Sequence, residues 1–116
     1  MEGEGAPLAP SRLHDQVLAE IVRRLVEAFQ PERVYLFGSR ARGDDGPDSD
    51  YDLMVVVAEA NEPGYRLAQR AHSLLWDTRT ATDVLVWPKE LFDGRLHVQA
   101  SLPAIILREG QLLYAA

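Results

Sequence analysis

The chain has no cysteine and only one lysine, Lys89, among its 116 residues. Without thiols there is no disulfide, no thiolate nucleophile and no zinc-finger chemistry, a composition suited to a reducing cytoplasm. One lysine leaves one amine for Schiff-base or ammonium work, so cationic contacts fall to arginine. No run approaches the ~20 apolar residues that cross a bilayer. The first ten residues hold Glu2, Glu4, two glycines and two prolines, where a secretory signal needs a positive start and an apolar stretch. These absences predict a soluble cytoplasmic protein with no membrane contact, a mobile tail over 1–10 and a single domain over 11–116.

Basic residues are also in deficit, with 12 Lys+Arg against 18 Asp+Glu and a formal net charge of −6. That balance argues against direct nucleic-acid binding through bulk charge, which needs clustered Lys and Arg. The deficit is local, however. Asp44 to Asp52 holds five acids and no base, the tail adds Glu2 and Glu4, and the other eleven acids meet twelve bases. A nucleotide taken as a small ligand is compatible with this distribution. Hydrophobic residues at 47% with 26% charged residues are ordinary for a globular domain.

Apolar spacing then organises the chain. Leu13, Val17, Leu18, Ile21, Val22, Leu25 and Phe29 recur at helical intervals behind a possible cap at Ser11, and Gln30-Pro31 ends the helix. Val34 to Phe37 is a short, nearly continuous apolar run that stops at Gly38, as in a buried strand. Tyr51 to Val57, rich in β-branched residues, predicts a second strand, and Tyr65 to Trp76 returns to helical spacing. Thr82 to Trp87 predicts a third strand, stopped by Pro88. A last helix follows, with Ser101 as cap, Pro103 in its first turn and Gly110 at its end. Leu112 to Tyr114 is then a short strand or a packed tail. The expected fold is α/β (α+β), a small mixed sheet with helices packed on it, in the order α-β-β-α-β-α. Trp76, Trp87 and Phe92 are expected to anchor the core or an interface.

The chemistry concentrates between Gly38 and Leu53. Asp50 and Asp52 stand at i and i+2 at the mouth of a strand, so they share a face with Cα atoms roughly 7 Å apart. Two carboxylates on one face repel, and aspartate is a poor strand former, so the pair calls for a compensating cation. Hard oxygens of this kind suit Mg²⁺ or Mn²⁺. Asp83 repeats the pattern, one acid opening the apolar run Val84-Leu85-Val86-Trp87. If the two strands are neighbours, three carboxylates gather, enough for two metals about 3.5–4 Å apart in the geometry of phosphoryl or nucleotidyl transfer. Upstream, Gly38-Ser39 directly follows a strand, where backbone N–H groups and a hydroxyl can face phosphate oxygens. Arg40 and Arg42 add cationic reach toward phosphate, or neutralise Asp44, Asp45 and Asp48 locally. Gly38 and Gly43 have Walker A spacing, but Asp44-Asp45 stand in place of its Lys-Ser/Thr pair.

The run Gly38-Ser39-x-Ala41-Arg42-Gly43, five residues, then Ser49-Asp50-x-Asp52-Leu53 resembles the signature of the polymerase-β-like nucleotidyltransferase superfamily, and in particular its minimal nucleotidyltransferases. Thr82-Asp83-Val84 and the closing Ile105-x-x-Arg108-Glu109-Gly110-x-x-Leu113-Tyr114 extend the resemblance over nearly the whole chain after the tail. The resemblance implies that Gly38 and Ser39 hold a nucleoside triphosphate and that Asp50 and Asp52 bind two Mg²⁺. It implies that Asp83 binds the catalytic ion and helps activate a hydroxyl that attacks the α-phosphate, with pyrophosphate leaving. Minimal members resemble the antitoxin half of two-gene modules whose other half is a helical HEPN toxin. The implied activity is transfer of AMP from ATP to a toxin tyrosine, in a hetero-oligomer or homodimer. Two alternatives stand beside it: nucleotidyl transfer to a small-molecule hydroxyl such as an aminoglycoside or to RNA, and a non-catalytic antitoxin that acts by complex formation. Arg66 and His72 match an Arg-x₅-His pattern found in HEPN ribonucleases, but the all-helical surroundings of that pattern are missing.

Overall fold

The computed structural model describes residues 15–44, 46 and 49–116. The expected tail, the possible cap Ser11, Leu13, and the loop acids Asp45 and Asp48 lie outside the described residues. Helix α1 (Gln16–Phe29) opens on Asp15, whose extended backbone leaves its carboxylate free to accept the amides of Val17 and Leu18. The helix that carries Leu18, Ile21, Val22 and Leu25 into the core runs from Gln16 with Asp15 as its cap. It ends at Gln30 in the left-handed conformation, immediately before Pro31.

Strand β1 (Arg33–Phe37), a single turn of helix α2 (Ser39–Arg42) and strand β2 (Tyr51–Val57) follow. Helix α3 (Gly64–Leu75) runs into a 3₁₀ turn at Trp76–Thr78, and strand β3 (Thr82–Pro88) leads into helix α4 (Lys89–Gly94). Helix α5 (Leu102–Glu109) and strand β4 (Gln111–Ala115) complete the described chain. As expected from the sequence, Ser101 caps α5 by accepting from the Ala104 amide and Gly110 closes it.

The four strands form one sheet in the order β3-β2-β1-β4, with β2 and β3 parallel and the other two pairs antiparallel. The mixed α/β class is as the sequence reading expects, but the order is richer than α-β-β-α-β-α. The short helices α2 and α4 and the edge strand β4 are additional. Neither α2 nor α4 is long enough to show an apolar repeat. The Leu112 to Tyr114 segment becomes a strand by pairing with β1, at a bulge between Val34 and Tyr35. Pro88 is tolerated at the end of β3 because that strand is an edge.

The sheet is covered on both faces, which explains the continuous apolar runs in β1 and β2. Leu53, Val55, Val84 and Val86 pack with Leu18, Ile21, Leu25, Leu67 and Ala71 of α1 and α3. On the other face Tyr35, Met54 and Val56 meet Phe92 of α4 and Ile106 of α5. The rings of Tyr35 and Phe92 stack with centroids 5.4 Å apart. Phe92 is thus the core anchor expected of it, whereas Trp76 is 85% exposed.

Gly110 is the tightest backbone junction between α5 and the sheet. A Cβ placed there would lie 2.6 Å from the Ile106 carbonyl oxygen and 2.8 Å from that of Leu36. Both are main-chain atoms that cannot swing aside. Gly110→Ala is expected to destabilise the fold by about 2–3 kcal/mol, seen as a lower urea midpoint with unchanged slope. An unchanged midpoint would mean that α5 can slide on the sheet.

Candidate active site

Sheet register decides which acids meet. In the parallel pairing Asp52 of β2 is the direct partner of Asp83 of β3, and in the antiparallel pairing it stands opposite Phe37 of β1. Side chains alternate along a strand. Asp52 therefore points to the side of Met54 and Val56, as Asp83 does to the side of Leu85 and Trp87, at the end of the sheet just outside the second core cluster. Asp50 precedes β2 by one residue and is exposed, as is Asp83, whereas Asp52 is half-buried.

Asp52 is the electrostatic centre of the group. Its carboxyl is pushed above the usual range, first by burial, then by the negative charges of Asp83 and Asp50, with Arg42 pulling weakly the other way. All three predicted acids are thus close enough to influence one titration. They do not form a closed cage: among the described residues no three acidic or histidine side chains converge as a ready metal-binding group. Like charges on neighbouring strands lower their energy by diverging, so this donor set gains from a cation brought between its members. In donor type, the carboxylate oxygens fit a hard divalent ion.

The glycine–serine turn lies directly against Asp52. Gly38 has φ +77° and ψ −159°, a region essentially confined to glycine. A Cβ at Gly38 would collide with the Oδ2 of Asp52 and lie 3.1 Å from its Cγ. The missing side chain is therefore what lets the carboxylate rest on the turn. Ser39 begins α2, whose amides at Ala41 and Arg42 close onto the Gly38 carbonyl. Gly43 ends that turn at φ +85°, and Gln111 of β4 donates to the Ala41 carbonyl, tying the turn to the far edge strand.

The two arginines differ in what occupies them. Arg40 donates from Nε to the Ser49 carbonyl at 2.9 Å and lies over the Tyr51 ring, 4.1 Å from its centroid. It braces the acidic loop against β2. Arg42 pairs with Asp44 at 3.2 Å and more loosely with Glu109 at 3.9 Å. Local neutralisation, one of the two readings open from the sequence, describes Arg42 in this structure.

Sequence reasoning passed over Asp15. One of its oxygens caps α1 while the other accepts from the Tyr51 hydroxyl, so the helix start is latched to the residue beside Asp52. The signal was present: an aspartate two residues before Val17 is as good a cap as serine.

A mixed sheet with a glycine–serine turn pressed against an acidic strand pair is the architecture of a nucleotidyl-transfer core. The chain belongs to the nucleotidyltransferase domain family, whose model matches residues 18–112. A Sulfolobus solfataricus protein assigned to the nucleotidyltransferases, with a solved crystal structure, is 24% identical. The match covers 97% of this chain and 90% of that one with a TM-score of 0.55. A toxin–antitoxin crystallised with AMP-PNP is 25% identical over 84% of this chain and 73% of its own, with a TM-score of 0.50. A mutant of the toxin–antitoxin MntA-HpeT shares the fold at 18% identity, TM-score 0.53, with the same coverage. No curated protein sequence matches significantly. No described helix is long and apolar enough to cross a membrane.

Proposed function

We propose that this chain is the antitoxin of a two-component module and transfers AMP from ATP to a tyrosine hydroxyl of a HEPN-type toxin. The observation that carries the transfer chemistry is the contact between Gly38 and Asp52. It sets the turn proposed to seat phosphate against one member of the acidic pair, which supports this reading. The toxin–antitoxin with AMP-PNP, matched over 84% of this chain, supports both the nucleotide and the type of partner.

In this reading Gly38 and Ser39 seat the triphosphate, the glycine by close approach of the backbone and the serine by its hydroxyl. Asp50, Asp52 and Asp83 would hold one or two Mg²⁺, or Mn²⁺. Bound there, the ions supply positive charge at the entering and leaving oxygens. Asp83, on the edge strand, faces the incoming tyrosine and takes up its proton. The phenolate oxygen bonds to the α-phosphorus, the bond from that phosphorus to the α–β bridging oxygen breaks, and pyrophosphate leaves. Arg40 holds the loop that carries Asp50, through the Ser49 carbonyl, and Arg42 lies at the turn's outer end, where it can exchange Asp44 for a phosphate oxygen.

The test is to incubate the chain with a candidate HEPN-type toxin, ATP and Mg²⁺, and weigh the toxin. A mass gain of one or more AMP groups on tyrosine is expected. Inhibition of the toxin with no mass gain would replace this reading by steric neutralisation. AMP found on an aminoglycoside but never on the toxin would replace it by small-molecule transfer.

A further inference from the structure

Asp50 is the one acid of the candidate site that the sheet does not hold. Strand β2 begins one residue later, and the first ladder bond at that end is the Tyr51 amide, donating to the Ala81 carbonyl at 3.0 Å. A residue outside the ladder keeps backbone freedom. An ion drawing on its carboxylate must remove that freedom on binding, unless the protein has removed it first. The neighbouring Ser49 supplies the hold. Its carbonyl accepts from Arg40 Nε at 2.9 Å, and it closes a small turn with Gly46 through its hydroxyl at 2.9 Å and its amide at 3.2 Å. Arg40 lies in α2, directly after Ser39. One side chain thus spans from the turn proposed for the triphosphate to the loop that carries Asp50.

The guanidinium is itself seated. It lies over the Tyr51 ring, 4.1 Å from its centroid. Tyr51 alternates with Asp50 and Asp52, so its ring turns the other way, into the first core cluster, and is only 5% exposed. The Tyr51 hydroxyl donates to Asp15, whose other oxygen caps α1. Core packing along the ring and a hydrogen bond at its tip therefore fix the surface on which the flat guanidinium rests. A phosphate oxygen taking Arg40 Nε would displace the Ser49 carbonyl and release the loop that holds Asp50. Arg42, paired with the exposed Asp44, is the arginine that can change partners without that cost.

We propose that Arg40 is a positioning residue which, seated on Tyr51 and Asp15, sets Asp50 for a divalent ion and is not itself a ligand of the triphosphate. The inference rests on the transfer reading for its ion. It deepens that reading by assigning the two arginines of the turn to different tasks and by making the start of α1 an outer support of the acidic site. Support of this kind, one layer behind the ligands, governs ion affinity as strongly as it does ligand orientation.

Two measurements separate the roles. Mn²⁺ binding to the full chain without nucleotide is followed by loss of the free-ion EPR signal, and KM for ATP is taken from transfer rates at saturating Mn²⁺. Arg40→Gln is expected to weaken Mn²⁺ about tenfold. Its transfer rate should fall at low Mn²⁺ and recover as Mn²⁺ is raised, with KM for ATP within about twofold of wild type, whereas loss of a phosphate ligand raises KM. Tyr51→Phe keeps the ring under Arg40 and removes only the hydroxyl, so it should weaken Mn²⁺ about threefold, the worth of one hydrogen bond. Arg66→Gln, the same loss of charge at an exposed position of α3, is expected to leave Mn²⁺ affinity unchanged. Wild-type Mn²⁺ affinity in Arg40→Gln or Tyr51→Phe, an equal loss in Arg66→Gln, no Mn²⁺ binding by the wild type, or a tenfold rise in KM for ATP in Arg40→Gln would each overturn the proposal. Any of these beside normal transfer by the wild type would leave the transfer reading in place. The expected Mn²⁺ pattern with no AMP transfer to any tyrosine would remove that reading and leave the positioning role standing.

Discussion

Asparagine in place of Asp52 is expected to lower nucleotidyl transfer by about a thousandfold while making the metal-free protein more stable. The two effects have one cause. Asp52 is half-buried between Gly38 and two like charges, so its ionised form is disfavoured and its carboxyl is raised above the usual value. Between the unfolded value and that raised one, the native state binds more protons than the unfolded chain. The stability contributed by this group therefore falls as pH climbs through the window and stays lower above it. Asparagine keeps the shape and cannot ionise. The gap in melting temperature between variant and wild type should thus open as pH rises from about 4 and then level off.

Glu20 works in the opposite sense, held down to about 2 by hydrogen bonds from Arg23 and Arg24. It is shared by both proteins and cancels from the comparison. Added Mg²⁺ should raise the melting temperature of the wild type more than that of Asp52→Asn, because only the carboxylate offers a charged ligand. The measurements are initial transfer rates and thermal melts across pH. A variant with more than a tenth of wild-type activity, or a melting-temperature gap that closes as pH rises, would contradict the assignment of Asp52 as the centre of the site.

Much of this arrangement was legible in the sequence because it depends on short-range chemistry. Gly38-Ser39 after an apolar run, Asp50 and Asp52 at the mouth of a β-branched run, and Asp83 opening another are each local signals. What the sequence could not supply was their register. That Asp83 pairs with Asp52 follows from β2 and β3 being parallel neighbours, a consequence of the crossover through α3 rather than of any residue at either aspartate. Asp15 was passed over as the cap of α1 because it sits inside the apolar spacing that begins at Leu13, and its extended backbone is what marks it as a cap. Helices α2 and α4, at four and six residues, are too short to leave a period. A cavity at Trp76 was illegible for another reason. Its walls, around Trp76, Arg79 and Thr82, come from the end of a helix, a 3₁₀ turn and the start of a strand.

Gly38→Ala is expected to cost about 2 kcal/mol of stability and to reduce transfer at least about a hundredfold, a larger functional loss than any other single methyl group should cause. Alanine must either abandon the φ of +77° or bear its strain, and its methyl group occupies the place of the Asp52 carboxylate oxygen. Asp52 can rotate away, which relieves the clash but takes the carboxylate off the turn. Gly110→Ala supplies the contrast, since its methyl group would press on the main-chain oxygens of Ile106 and Leu36 rather than on a carboxylate of the site. The two variants should therefore separate. Adjusted for the fraction folded, Gly110→Ala should retain near-normal transfer and Gly38→Ala should not. A second-site change tests the cause: in the Asp52→Asn background, Gly38→Ala should cost little further activity, because the contact it breaks no longer holds a charge at the site. Fully additive losses in the double variant would show that Gly38 serves the phosphate alone, with no part in placing Asp52.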